Sequence, residues 1–196
     1  MEKNELFPGI VVYDNVFLDG IKFIEELNFF EKSGILEWSK PYINDGQKDY
    51  VNSQIRDLDV ISIPFDRNEP LSDNERIIKN IGTIIKNSLD PYLNDYKSNF
   101  GATEFNNYDS FQILRYGDGH HFANHVDDSV AFSRRISMSY YLSEDFEGGE
   151  IEFPRVGIKI KPKSNQLLIF PSNYLFNHLV HPVKNGVRYT IVNWIH

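Results

Sequence analysis

From residue 108 to its end the chain breaks into short β-rich runs separated by turn residues, and this half constrains the fold most. The runs lie at 111–116, 121–126, 136–142, 150–153, 157–160, 166–170, around 179–183, and at 187–195. Between them stand Gly117-Asp118-Gly119, Gly148-Gly149, Pro162, Pro171-Ser172-Asn173 and Asn185-Gly186. Such residues supply the backbone angles that reverse a strand. About eight short strands at this spacing point to a β-sandwich or barrel.

The first half reads differently. Residues 10–13 are a short β-type run after Pro8-Gly9. Asp19 can cap a helix whose apolar face would carry Ile21, Ile24, Leu27 and Phe30. Stretches 38–43 and 55–63 read as strands, parted by a polar turn around Asn44-Asp45-Gly46. Ser72-Asp73-Asn74-Glu75 has the form of a capping box. Ile77, Ile81, Ile84 or Ile85, and Leu89 then share one helical face, and Asp90-Pro91 either ends that helix or opens a short second one. These helices are expected to pack on one sheet, giving an α+β, mainly β chain. At 196 residues the expectation is a single domain, with 1–107 as a helical and mixed support region and 108–196 as the core.

Composition narrows the function. The formal net charge is −8, which makes a broad phosphate-tracking surface and hence a nucleic-acid partner an unfavoured reading. Cysteine is absent, so disulfides, thiolate metal sites and thiol nucleophiles are excluded together. No apolar leader follows Met1, and no window nears the ~18 apolar residues of a membrane span. The expectation is a soluble cytoplasmic protein with no membrane partner.

His125-Val126-Asp127 is the first chemical signal. On a strand, residues i and i+2 face the same way, so an imidazole and a carboxylate can share one ion. Alone it is weak: six histidines among 28 acidic residues in 196 give about one such pair by chance. A non-haem Fe(II) site uses two histidines and one carboxylate. His178 and His181 are both available as the distant third group. Arg188 shares a strand face with Thr190, Val192 and Trp194, and a lone inward arginine is costly unless it meets an anion. Its planar fork suits a carboxylate.

A resemblance joins these pieces. Residues 116–127 carry Tyr116, Gly119, Phe122, His125 and Asp127 in a Tyr-x-x-Gly-x-x-aromatic-x-x-His-x-Asp pattern. Tyr140-Tyr141-Leu142, Gly148-Gly149-Glu150 and Phe170-Pro171 follow. Then come His178, Val180, Pro182-Val183, Gly186, Arg188 and Trp194. In this order they resemble the 2-oxoglutarate/Fe(II)-dependent dioxygenase superfamily, in its prolyl-4-hydroxylase-like branch. The likeness covers about 108–196. An arginine at 188 matches the oxygen-sensing prolyl hydroxylases, whereas the Gly-Gly-Glu-x-x-Phe-Pro segment at 148–154 looks like the collagen type. The Arg-x-Asn-x-Thr-x-Arg signature of the nucleic-acid demethylases is not present after Arg188.

The resemblance implies a double-stranded β-helix, or jelly roll. It makes His125, Asp127 and His178 the iron ligands, and Arg188, with Tyr141 and Tyr116, the holder of 2-oxoglutarate. Trp194 and Arg134 would meet the substrate, while His121 and Arg135 are left open as pocket contributors. His120 and His196 are expected in solvent, Tyr140 in the core, and Gly148-Gly149 as a tight turn. The implied cofactors are Fe(II), 2-oxoglutarate and O2, with ascorbate as reductant. The implied enzyme hydroxylates an unactivated C–H bond, with a peptidyl proline as the leading substrate, and releases succinate and CO2. The alternatives are hydroxylation of a free amino acid or small metabolite, and a non-catalytic jelly-roll binding module.

Overall fold

The computed structural model describes residues 1–16, 19–44, 48–65, 72–130 and 132–196. The turn expected at Asn44-Asp45-Gly46 falls largely outside the described residues. In chain order the elements are β1 (Lys3–Phe7), β2 (Ile10–Tyr13), α1 (Gly20–Lys32), β3 (Ile43–Asn44), β4 (Asp49–Tyr50), β5 (Arg56–Asp57), β6 (Asp59–Ile63) and α2 (Asp73–Phe100). The second half continues with β7 (Phe111–Tyr116), β8 (His121–His125), β9 (Ile136–Tyr141), β10 (Glu147–Gly148), β11 (Ile151–Phe153) and β12 (Ile158–Ile160). It closes with β13 (Leu167–Pro171), β14 (His178–Val180), β15 (Val183–Lys184) and β16 (Arg188–Ile195). The expected strand at 38–43 is mostly irregular: Ser39 makes one bridge to Val60, and only Ile43 enters a strand. The stretch 55–63 is divided between β5 and β6, which join different sheets.

Two antiparallel sheets carry the fold. One has seven strands in the order β1-β2-β13-β9-β16-β7-β6, the other five in the order β12-β11-β14-β8-β5. Among the described residues both sheets keep free edges, so the sandwich is not a closed barrel. The helices cover the outer face of the larger sheet. Phe23 and Leu27 of α1, and Ile81, Ile85, Leu89 and Leu93 of α2, share one apolar cluster with Ile113, Met138, Tyr140 and Ile191. Each such side chain, fully buried, contributes about 1.5–3 kcal/mol.

Both helices start where their caps predict. Asp19 accepts a hydrogen bond from Lys22 N, and Ser72 and Glu75 form the full capping box. The α1 face is rotated from expectation. Ile21 is 71% exposed, because Phe23 and Leu27, four apart, set the buried stripe. Pro91 neither ends nor starts a helix: α2 runs through it to a left-handed Gly101 cap. Proline removes the donor to the carbonyl four residues back; here that carbonyl belongs to the exposed Asn87, where water can replace it. Gly82 lets α2 close on the chain leaving β6, since a Cβ there would lie 2.9 Å from Phe65 Cβ and 3.0 Å from Pro64 O. Among the described residues no helix is long and apolar enough to cross a membrane.

The strands at the centre of the larger sheet bury both faces. In β9, Ile136, Met138 and Tyr140 point to the helices, as expected for Tyr140, while Ser137, Ser139 and Tyr141 face the smaller sheet. In β16, Ile191 and Ile195 take the helix side, and Arg188, Thr190, Val192 and Trp194 the other. Register sets Thr190 beside Tyr141, Val192 beside Ser139 and Trp194 beside Ser137. Hydroxyls and a guanidinium thus occupy positions where a sandwich normally places aliphatic side chains, and they line the candidate site.

Candidate active site

The smaller sheet supplies the facing wall. β8 and β14 pair with His125 directly opposite His178, and the ring centroids lie 4.3 Å apart. Asp127 follows two residues after β8 ends. His125 Nε2 is 3.6 Å from Asp127 Oδ1, and His178 Nε2 is 3.8 Å from Asp127 Oδ2. One ligand atom from each residue lies within 4.8 Å of the other two, a spacing that can hold a metal ion.

Backbone carbonyls fix the imidazoles. His125 Nδ1 is 2.9 Å from Ala123 O, and His178 Nδ1 is 3.1 Å from Phe176 O. A carbonyl only accepts, so each Nδ1 donates to its carbonyl and each Nε2 faces the shared space. Aromatic rings hold them from the sides: Phe122 stacks on His125 at 3.6 Å, and Phe170 meets His178 edge-on at 4.9 Å. Burial, reinforced by the neighbouring His125, lowers the His178 pKa to about 4, so this ring is neutral at neutral pH. Burial alone would raise the Asp127 carboxyl. The imidazoles of His178 and His125 and the Ser137 hydroxyl outweigh it and hold that carboxyl well below its usual range.

Arg188 lines the same cavity as the three ligand-type residues and is 2% exposed. Its guanidinium carbon sits 4.8 Å from the Tyr116 ring and 5.3 Å from the Tyr141 ring. Arg188 Nε and Nη1, Tyr141 Oη and Thr190 Oγ1 are buried without a hydrogen-bond partner. Burial pushes the Tyr141 hydroxyl up to about 12, against the pull of Arg188, and burial also raises Tyr116. Both phenols therefore keep their protons. A buried cation with idle donors, ringed by hydroxyls, is what an incoming carboxylate would complete.

Trp194 also lines this cavity. Arg134 lies outside its lining but stacks on Trp194, with 3.8 Å from guanidinium carbon to ring centre. Asp109 holds Arg134 there, accepting from Nε at 3.1 Å, and Asp109 also contacts His196 Nε2 at 2.8 Å. The expectation that terminal His196 stands free in solvent is corrected: Ser133 O and Asp109 hold its ring. His120 is likewise half-buried, 3.9 Å from Asp57. His121 meets the carbonyls of Gly119 and Gln54 instead of the cavity. Arg135 lies 3.6 Å from Asp128, and His181 spends Nε2 on Glu152 at 2.7 Å. Gly148 is more than a turn residue: its φ is +64°, and a Cβ there would lie 2.1 Å from Pro182 O.

Sequence reasoning missed Arg56, Ser137 and Ser172. Arg56 lines the cavity, donates from Nη1 to Tyr42 O and from Nη2 to Gln112 Oε1, and leaves Nε without a partner. It comes from a two-residue strand with no periodic pattern to announce it. Ser137 alternates correctly with Tyr141, and parity counting along β9 would have found it.

A sequence model described as the 2OG-Fe(II) oxygenase superfamily matches residues 111–196, the stretch that holds every one of the ligand-type residues and Arg188. Within that superfamily the likeness is to the prolyl-4-hydroxylase-like branch. A PKHD-type hydroxylase of Prochlorococcus marinus (strain NATL2A) is 37% identical over 83 residues, covering 39% of this chain and 37% of that protein. Another PKHD-type hydroxylase, from Synechococcus sp. (strain CC9902), is 39% identical over 85 residues, 40% of this chain and 36% of the relative. The chain thus spans less than half the length of the curated relatives it matches. Among solved structures, a Trichoplax adhaerens prolyl hydroxylase in complex with a hypoxia inducible factor peptide superposes with a TM-score of 0.69 at 18% identity, covering 95% of this chain and 83% of that one. A Pseudomonas putida prolyl-4-hydroxylase gives 0.67 at 16% identity, covering 96% and 92%. These likenesses make the oxygenase fold here the expected double-stranded β-helix, open at its edges.

Proposed function

We propose that this chain is a 2-oxoglutarate- and Fe(II)-dependent oxygenase that hydroxylates an unactivated C–H bond, with a peptidyl proline as the leading substrate. One observation carries the reading: a two-histidine, one-carboxylate cluster shares a cavity with a buried arginine whose donors are idle. The residues fit both groups. His125, Asp127 and His178 would hold Fe(II) through two neutral imidazoles and one carboxylate. Arg188 would pair with the far carboxylate of 2-oxoglutarate, with Tyr141, Thr190 and Tyr116 completing that seat. Bound together, Fe(II) and 2-oxoglutarate supply the oxidative chemistry: O2 is consumed, 2-oxoglutarate becomes succinate and CO2, and the substrate carbon gains one oxygen atom.

The chain's own part is placement and exclusion of water. Aromatic rings around the imidazoles keep the cavity apolar except at the residues that bind. Trp194, clamped under Arg134, would form the substrate wall, and a flat apolar surface suits a proline ring. Support for a peptide comes from the Trichoplax neighbour, which was solved with one. In this reading 1–196 act as one domain, with 1–107 supporting the core, in the reducing cytoplasm and with ascorbate as reductant.

A second reading is hydroxylation of a free amino acid or small metabolite. Arg56 favours it, since its idle Nε offers a second seat for a carboxylate. Succinate release is measured against proline peptides and free amino acids in parallel, with products weighed by mass spectrometry. The peptidyl reading expects stimulation by peptides and a product heavier by one oxygen on proline. Turnover with free amino acids alone removes that reading and leaves the oxygenase; no 2-oxoglutarate turnover with any pool removes both.

A further inference from the structure

Two buried hydroxyls stand behind Asp127. Ser137 Oγ donates to Asp127 Oδ2 at 2.6 Å, and Ser137 Oγ lies 2.8 Å from Ser172 Oγ. Both serines are nearly inaccessible, at 2% and 1% exposure. Proton counting fixes the direction. An ionised carboxylate only accepts, so the single Ser137 proton goes to Oδ2. Ser137 then accepts, and the proton between the serines belongs to Ser172. The backbone repeats the link: Asp128 N donates to Ser172 O at 3.0 Å, and Ser172 N to Arg135 O at 3.0 Å. The segment carrying Asp127 is thus docked on Ser172 by main chain and, through Ser137, by side chain.

We propose that Ser137, backed by Ser172, is a positioning residue that ties Asp127 Oδ2 and so fixes the rotation of the carboxylate beside His125 and His178. Oδ1 is the oxygen 3.6 Å from His125 Nε2, and Oδ2, which carries the short hydrogen bond, is 3.8 Å from His178 Nε2. A carboxylate that can turn freely must be ordered when an ion binds. Tied at one oxygen, it is held in one orientation toward the two imidazoles. A partner that orients a ligand typically changes metal affinity by about 10–100-fold. This inference rests on the metal-site reading given above.

The test uses Co(II) and Mn(II) binding to the full chain without 2-oxoglutarate, by calorimetry and by the visible spectrum of bound Co(II). Ser137→Ala is expected to bind Co(II) about 10–100-fold more weakly, with an altered spectrum. Ser137→Thr, which keeps the hydroxyl, restores both. A merely structural serine would lower the melting temperature of the metal-free protein and leave the Co(II) spectrum unchanged. Should Ser137→Ala fail to fold, Ser172→Ala carries the test, with a few-fold weaker Co(II) binding expected. Wild-type affinity and spectrum in folded Ser137→Ala, or wild-type affinity in Ser172→Ala where that variant carries the test, overturn the relay while leaving the metal site standing. A wild-type chain that binds neither metal overturns the metal site itself, and the relay with it.

Discussion

Replacing Arg188 with methionine should have opposite effects on stability and on binding. In the ligand-free chain the guanidinium is buried with two idle donors. Each unpaired buried donor costs about 1–3 kcal/mol. The Tyr116 and Tyr141 faces return about 0.5–2 kcal/mol through cation–π attraction. Methionine fills similar space without a charge, so Arg188→Met is expected to leave the metal-free protein as stable as wild type or to raise its stability by about 1–4 kcal/mol. Binding should go the other way. Losing one partner of a buried charge pair costs about 3–5 kcal/mol, more than a hundredfold in affinity. With Mn(II) present and 2-oxoglutarate at 100 times the wild-type Kd, wild type gains about 2.7 kcal/mol. For a chain of this size that raises Tm by about 5–11 °C. At the same concentration the variant gains less than about 0.4 kcal/mol, a shift below about 2 °C. Anaerobic melting curves with and without 2-oxoglutarate measure both effects at once. A variant that keeps the wild-type ligand shift refutes the carboxylate seat. One that melts far below wild type before ligand is added refutes the claim that the idle donors are a burden.

His178→Ala should abolish Mn(II) binding in equilibrium dialysis, whereas His181→Ala should spare it because His181 is already committed to Glu152; the reverse outcome moves the metal ligand to His181. Metal-free stability should fall as pH drops from about 6.5 to about 4, because the unfolded His178 takes up a proton there and the buried ring, with its pKa lowered to about 4, does not. The loss is roughly 3 kcal/mol, read from urea midpoints, and a His178→Phe chain should lose that slope; an unchanged slope places the titration elsewhere. Trp194→Ala should weaken stimulation by peptides more than Mn(II) affinity, since the ring lines the cavity under Arg134 but is not one of the three ligand-type residues; equal losses in both would make Trp194 a structural support of the metal cluster.

Much of this was legible because strand alternation is a strict code. Counting by two along β16 placed Arg188, Thr190, Val192 and Trp194 on one face, where the structure has them. The preference for His178 over His181 rested on the family pattern; in the structure His178 is the residue registered opposite His125, while His181 contacts Glu152. Helix faces were less legible. Ile21 and Phe23 are both apolar, and only docking against the sheet decides which is buried. Pro91 misled because its penalty depends on whether the orphaned carbonyl meets water. Arg56 was illegible in a deeper sense. Its role arises where a two-residue strand from the first half joins β8, a pairing between positions far apart in the chain.

The direct pairing of His125 with His178 has a mechanical consequence. An ion bridging those two rings would be a cross-link between segments that also meet through a short, bulged ladder of the smaller sheet and the Asn177–Asn124 side-chain hydrogen bond. Such a clasp acts on the opening of β8 from β14 more than on the sheet against which the helices pack. Amide hydrogens of Phe122, His125 and Val180 should then exchange far more slowly with metal bound, while those of β9 and β13, already deep in the larger sheet, change little. On this reading the ion sets how often the cavity wall opens as well as what reacts inside it.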